Sequence, residues 1–201
     1  LTIGGDLTVG DTACGVWFQV TSGDASIDGD VLVAQSTTGA DWADFSVIRD
    51  SDEPEDPEVT IGGDMLLGVL PNGTSADTAL LVLSNGKMDV SGALRVGDSS
   101  SVSVGTGSEL NAQIFECPSA DQFQLAGGDF YSPLCTLGPG TFSISDSSMA
   151  QIHSLGGSSS IEVGVDGSAC SLIFGSGDSG SSIAQSILVG GSTGSTSLTS
   201  I

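Results

Sequence analysis

The sequence predicts an all-β protein, a parallel β-helix or β-solenoid of stacked coils with Gly/Asp corners. Three observations favour this fold class: a short phrase that recurs four times, apolar residues that alternate with polar ones, and the lack of a long segment with helical periodicity. A β-sandwich, in which each phrase would be a hairpin, is the alternative. The phrase keeps its length while the spacers between its copies vary, and this favours the solenoid.

Each copy of the phrase has two apolar pairs on either side of a three-residue turn. The copies read LTIGGDLTVG, ASIDGDVLVA, VTIGGDMLLG and MDVSGALRVG, and they begin at Leu1, Ala25, Val59 and Met88. The last two turn residues are Gly5-Asp6, Gly29-Asp30, Gly63-Asp64 and Gly92-Ala93. Such a repeat is one supersecondary unit that buries its apolar side only against its neighbours.

The turn aspartates would stack about 4.8 Å apart in a solenoid, where like charges repel. We expect the carboxylates of Asp6, Asp30 and Asp64 to accept a turn N–H and to face water. Calcium bound between them is the alternative.

The remaining sequence is less regular, but apolar clusters continue to recur. The apolar clusters Ile161/Val163/Val165, Leu172/Ile173/Phe174 and Ile187/Leu188/Val189 lie in a segment rich in Ser and Gly, which predicts further coils rather than a flexible linker. We interpret residues 1–201 as a single β-solenoid domain, or as a segment of a longer chain or filament. Excursions from the coil are predicted near residues 49–58 and 117–135.

The charge balance is acidic because basic residues are scarce. The 201 residues include 25 Asp and Glu but only three Lys and Arg, which gives a net charge of −22. Nucleic acid is excluded as a partner, because phosphate contacts need basic side chains. Membrane insertion is not expected, since no apolar run of about 18 residues occurs. Aromatic residues make up 5% of the chain, so the core is predicted to consist of Val, Ile, Leu and Ala.

Four cysteines without a CxxC pair favour disulfides over zinc and indicate an extracellular or cell-surface protein. The spacing favours a bond between Cys117 and Cys135 across the predicted excursion. Cys14 and Cys170 are then either free thiols or an intersubunit pair that links subunits head to tail, although four cysteines allow three connectivities. Asn72 begins an Asn-Gly-Thr acceptor sequence for glycosylation in a turn.

The acidic run RDSDEPEDPE carries the candidate metal ligands Asp50, Asp52, Glu53, Glu55 and Asp56. Calcium binds six to eight oxygen atoms of this kind. The spacing does not match an EF-hand loop, and two prolines indicate an extended segment. A solvated acidic loop is therefore the alternative to a calcium site, and no other cofactor is indicated.

Catalytic motifs are sparse. His153 is the only histidine, and the chain lacks a GxSxG elbow, a P-loop and an HExxH motif. Paired carboxylates for glycoside hydrolysis are available at Asp28 with Asp30, or near Trp42. A polyuronate is an anion, however, and three basic residues supply little positive charge to bind it. The chain is therefore predicted not to be an enzyme.

The phrases TIGGDLTVG, SIDGDVLVA, TIGGDMLLG and DVSGALRVG resemble the repeats of parallel β-helix surface proteins, both adhesin-like and appendage-forming. The resemblance implies a repetitive extracellular scaffold and carries over no catalytic residue. We therefore expect a structural subunit or segment of an extracellular fibre, sheath or surface appendage that self-associates into a homopolymer. The alternatives are an adhesive module that binds glycan or ice and a polysaccharide-degrading β-helix enzyme.

Overall fold

The computed structural model of the chain describes most of the sequence. The described residues are 1–10, 15–36, 42–74, 76–165, 168–174, 186–189 and 197–200, the last two ranges as backbone only. Within them the chain forms twenty β-strands and a single 3-10 turn at Ala120–Gln122. The predicted all-β class is confirmed.

The strands, numbered in chain order, form two sheets. The first sheet contains β1 (Thr2–Ile3), β2 (Leu7–Val9), β4 (Asp24–Ile27), β5 (Val31–Val33), β7 (Glu58–Ile61), β8 (Met65–Leu67), β10 (Lys87–Val96), β12 (Glu109–Cys117), β14 (Asp129–Leu137), β16 (Met149–Gly157), β18 (Ser171–Phe174) and β20 (Ser197–Ser200). The second contains β3 (Val16–Val20), β6 (Trp42–Ile48), β9 (Thr78–Ser84), β11 (Ser101–Val104), β13 (Phe123–Ala126), β15 (Thr141–Ser145), β17 (Ser160–Val163) and β19 (Ser186–Val189).

Both sheets are built by stacking one coil on the next. The first runs in the order β1-β4-β7-β10-β12-β14-β16-β18-β20, with β2, β5 and β8 continuing the same coils. The second runs from β3 to β19 in sequence order, and every strand pair is parallel. Because the hairpins of a sandwich would pair antiparallel, the structure is the predicted parallel solenoid.

The register between coils matches the alignment of the repeated phrase. Val59 pairs with Ala25 on one side and with Met88 on the other, and Met65 pairs with Val31 and Leu94. Equivalent apolar residues thus form columns along the stack. A slip of one residue would turn each column to the solvent, so the pattern specifies the register.

The core lies between the two sheets and contains mainly Val, Ile, Leu and Ala side chains. A cluster of phenylalanines fills it in the coils that contain β12 to β15. The ring of Phe123 lies 4.7 Å from Phe115 and 4.8 Å from both Phe130 and Phe142, between centroids. Few aromatic residues are present, yet several are concentrated at one level of the core.

The two predicted excursions differ in outcome. Residues 49–57 form a strand-free loop between β6 and β7. Residues 117–135 instead remain within the solenoid, because they contain β13 and run into β14. Buried apolar side chains alternate through this segment, and its prolines do not interrupt the coil. The prediction of an excursion at 117–135 is therefore wrong.

Candidate functional site

A ladder of aspartate carboxylates holds the corner between the two strands of each early coil. Asp6 Oδ1 accepts the backbone N–H of Asp30 at 2.9 Å. Asp30 Oδ1 accepts the N–H of Asp64 at 2.8 Å, and Asp64 Oδ1 accepts that of Ala93 at 2.8 Å. Each of these carboxylates therefore bonds to the following coil. Each carboxylate thus accepts a backbone N–H, as expected, but this N–H belongs to the corner of the next coil and not to the carboxylate's own turn.

The glycine of each phrase makes room for this carboxylate. A Cβ at Gly29 would overlap Asp6 Oδ1, a Cβ at Gly63 would overlap Asp30 Oδ1, and a Cβ at Gly92 would overlap Asp64 Oδ1. The glycine N–H groups also bond to the preceding coil, as in Gly63 N–H to the Gly29 carbonyl at 3.0 Å. An Asp at the corner of one coil therefore requires a Gly at the corner of the next coil.

The ladder ends where the sequence changes from Gly-Asp to Gly-Ala. Ala93 has no carboxylate to accept a bond from the next coil. In that coil, β12 is a continuous strand at the position where the earlier coils have a corner. Arg95 contacts Asp64 Oδ2 at 3.2 Å and donates from Nε to Glu116 Oε2 at 2.8 Å. One of the three basic side chains thus offsets negative charge at the end of the ladder. The groups at this corner are fixed acceptors and donors, and their chemistry is structural.

The acidic loop does not assemble a calcium site. Asp56 forms an ion pair with Arg49 at 2.8 Å, while Asp52, Glu53 and Glu55 are exposed. No group of three or more metal-ligating side chains comes together in the described part of the chain, which includes this loop and the corner aspartates. The predicted site at Asp50, Asp52, Glu53, Glu55 and Asp56 is therefore not supported. The alternative of a solvated loop agrees with the structure.

Cys117 and Cys135 are free buried thiols, so the predicted disulfide between them is absent. On adjacent parallel strands Cys135 pairs with Phe115, and Cys117 pairs with Leu137. The two cysteines are thus diagonal neighbours, with Cα atoms about 8 Å apart, beyond the reach of roughly 7 Å that a disulfide allows. Burial raises the pKa of Cys117 to about 11 and also raises the pKa of Cys135, so both thiols stay protonated.

The other two cysteines have separate outcomes. Cys170 is a buried free thiol whose Sγ lies 3.1 Å from Ser168 Oγ. A buried thiol is not accessible to a neighbouring chain, so an intersubunit bond from Cys170 gains no support. Cys14 lies outside the described residues.

Asn72 and His153 occupy different settings. Asn72 is exposed in a turn, and its Oδ1 accepts the N–H of Thr74 at 3.0 Å. Its glycosylation stays a prediction. His153 lies half-buried in β16, with its ring edge-on to Tyr131 at 5.4 Å.

A pair of exposed tryptophans on the second sheet was not predicted from the sequence. Trp17 on β3 and Trp42 on β6 have ring centroids 5.9 Å apart and ring planes inclined by only 11°. Their residues are 65% and 46% exposed. A Cβ at Gly15 would overlap the Trp42 indole, so this glycine lets the ring lie against the backbone of the first coil.

Asp44 lies beside the tryptophan pair. It is paired in register with Trp17 on one side and with Leu80 on the other, and it is half-buried. Its Oδ1 is buried and accepts no hydrogen bond, and burial raises the pKa of the carboxyl. The alternation in WADFSVI places Trp42 and Asp44 on one face, but only the coil register brings Trp17 to them.

Comparisons with known proteins gave no relative. The chain matches no family model, and neither the curated proteins nor the solved structures yielded a significant match. In the described ranges, no helix has the length and hydropathy needed to cross a bilayer.

Two glycine substitutions test the corner contact. Gly63→Ala is expected to reduce the free energy of unfolding by about 1–3 kcal/mol, because the added methyl overlaps the Asp30 carboxylate and the Gly29 backbone. Gly5→Ala is the matched control, since a Cβ there meets no atom within 4 Å. Urea unfolding followed by circular dichroism measures both. Equal stability of the two variants would contradict the contact.

The thiols are testable by differential alkylation. Cys117 and Cys135 are expected to resist iodoacetamide at pH 8 in the folded protein and to react after denaturation, because both are buried and protonated. Peptide mass mapping without reductant assigns each site. A peptide pair linked through Cys117 and Cys135 would restore the disulfide and contradict the register described above.

Proposed function

We propose that the chain is a structural subunit or segment of an extracellular fibre, sheath or surface appendage that grows by stacking of solenoid coils. The observation that carries the proposal is the parallel, in-register stacking of the coils, in which each coil adds to the backbone edge of the one before it. Strands β1, β2 and β3 stand at the edges of their sheets and have no partner beyond them among the residues that the structure describes.

The hydrogen bonds of this coil indicate which groups the edge presents. The carbonyls of Leu1 and Ile3 accept bonds from the second coil, as does the Val9 carbonyl, and the Leu7 N–H donates to it. Successive residues of a strand direct their N–H and C=O groups to opposite sides. Thr2 and Thr8 therefore present donors and acceptors to the open side, ready to pair with another strand.

The corner of the first coil supports the same proposal. Gly5 occupies the position at which Gly29, Gly63 and Gly92 each admit a carboxylate, yet a Cβ at Gly5 would meet no atom within 4 Å. An additional parallel coil fits this edge without any change in the corner.

Stacking of copies follows from the two edges. Among the residues that the structure describes, β19 and β20 are the last strands of their sheets on the opposite side, and they run parallel to β3 and β1. A second copy placed with its first coil on this end continues both sheets. Such a head-to-tail contact does not close on itself and propagates as a fibre. The excess of acidic residues favours a soluble, repelling lateral surface on that fibre.

A proline at the open edge tests the proposal. Thr8→Pro removes the outward N–H of β2 and leaves the bonds of Leu7 and Val9 to the second coil in place. The unmodified protein is expected to form fibres in negative-stain images and to gain mass with concentration in light scattering. Thr8→Pro is expected to remain monomeric.

Thr8→Val is the matched control, since it retains the N–H and a β-branched side chain, and it is expected to assemble like the unmodified protein. Circular dichroism verifies that both variants are folded. A monomeric unmodified protein at all concentrations would contradict the proposal. Assembly of Thr8→Pro to the same extent as Thr8→Val would also contradict it.

A further inference from the structure

We propose that Asn72 is a site of spontaneous deamidation, at which the exposed turn between β8 and β9 acquires aspartate or isoaspartate without an enzyme. The chain has two Asn-Gly steps, Asn72-Gly73 and Asn85-Gly86. Glycine has no side chain to shield its backbone nitrogen, so this nitrogen can approach the side-chain carbonyl of the preceding asparagine. The structure places the two steps in opposite settings, and only the first is open to reaction.

The reaction needs only water and the atoms of the turn. The Gly73 backbone nitrogen loses its proton to solvent and bonds to Asn72 Cγ, while the Cγ–Nδ2 bond breaks and releases ammonia, which takes up a proton in exchange. Both reacting groups belong to adjacent residues, so the step is intramolecular. Water then opens the cyclic succinimide at one carbonyl to give aspartate or at the other to give isoaspartate. Nothing is oxidised or reduced, and a neutral amide becomes a carboxylate.

The side chain of Asn72 is exposed and polarised for this attack. Residues 71–74 are all exposed, and the Thr74 N–H donates to Asn72 Oδ1 at 3.0 Å. Negative charge develops on Oδ1 when the Gly73 nitrogen attacks Cγ, so a donor already directed at this oxygen favours the transition state. A Cβ at Gly73 would meet no atom within 4 Å, which leaves the turn room to move.

The turn can open without disturbing the coils. The Gly73 N–H donates to the Leu70 carbonyl at 2.8 Å, and this bond must break before the nitrogen reacts. The Leu70 N–H donates to the Thr74 carbonyl at 2.9 Å. Both bonds lie within residues 70–74, so breaking them removes no bond between coils. Local opening of an exposed turn of this kind has a small free energy compared with global unfolding.

Asn85 provides a comparison within the same chain. Its N–H donates to the Thr106 carbonyl at 2.9 Å, and the Gly86 carbonyl accepts the Glu109 N–H at 3.0 Å. Both residues of this step are therefore bonded to the next coil. Gly86 is buried, and a Cβ there would overlap Val47 of the preceding coil. The Asn85-Gly86 step can thus react only when coils separate, and we expect it to remain unmodified in the folded protein.

Glycosylation of Asn72 would use the same nitrogen. A glycan on Nδ2 occupies the leaving group of deamidation, so the two modifications compete for one amide. The test therefore uses the full chain produced in a host that adds no N-linked glycan. Because Asn72 lies in a loop away from β1, β2 and β3, its conversion can be followed whether or not the chain forms fibres.

Peptide mass mapping of the folded chain during incubation at mildly alkaline pH tests the proposal. Cleavage after Arg49 and Lys87 releases both asparagines in one peptide, so fragment ions compare them directly. Asn72 is expected to convert to aspartate and isoaspartate at a rate within about threefold of its rate in the guanidinium-denatured chain. Asn85 is expected to convert about tenfold or more slowly in the folded chain than in the denatured chain. A sample digested without incubation corrects for conversion during digestion.

Two substitutions test the bond that polarises the Asn72 side chain, each compared with its own denatured form. Thr74→Pro removes the donated N–H and is expected to slow conversion of the folded chain about threefold or more. Thr74→Ser retains the N–H and is expected to convert like the unmodified chain, and circular dichroism verifies that both variants are folded. Equal rates for Asn72 and Asn85 in the folded chain would overturn the proposal. An Asn72 that stays intact while the denatured chain converts would also overturn it.

Discussion

The solenoid depends on close approach between the corners of successive coils. Asp30 reaches the N–H of Asp64 because Gly63 has no side chain in the way, and the same relation joins Asp6 to Gly29 and Asp64 to Gly92. Parallel coils must keep one cross-section, and this contact fixes it at the point where the chain bends. The columns of Val, Ile, Leu and Met then meet in register, so burial and hydrogen bonding specify the same alignment.

Sequence reasoning was most accurate where local chemistry repeats. The alignment of Ala25, Val59 and Met88 agrees with the strand register, because each copy of the phrase carries both its apolar pairs and its corner. In the later coils, β12, β14 and β16 are continuous strands at the position where the early coils have a corner. No Gly-Asp pair therefore marks these coils in the sequence. Prolines and cysteines then suggested an excursion at 117–135 that the structure does not contain. The tryptophan pair was missed for a related reason: spacers of unequal length conceal which residues of neighbouring coils meet.

The same residue type acts differently according to its position in the coil. Aspartates at the corner are hydrogen-bond acceptors between coils, whereas most acidic side chains of residues 49–58 remain in solvent. Asp44 is flanked by Trp17 and Leu80, and partial burial raises its pKa. The cysteines follow a similar rule, since inward-facing Cys117 and Cys135 behave as small apolar core residues. The composition gives only the number of acidic residues and cysteines, whereas the coil register determines which of them are buried and which form bonds between coils.

Amide hydrogen exchange at the corner, followed residue by residue by NMR, tests the central contact most directly. Asp30 is exposed, Asp64 is half-buried and Ala93 is buried, and the N–H of each donates to a carboxylate of the preceding coil. These three amides are expected to exchange slowly at neutral pH. The amide of Asp6, for which the described residues contain no carboxylate from a preceding coil, is expected to exchange rapidly. Exchange of all four amides at the rate of an unfolded chain would contradict the account.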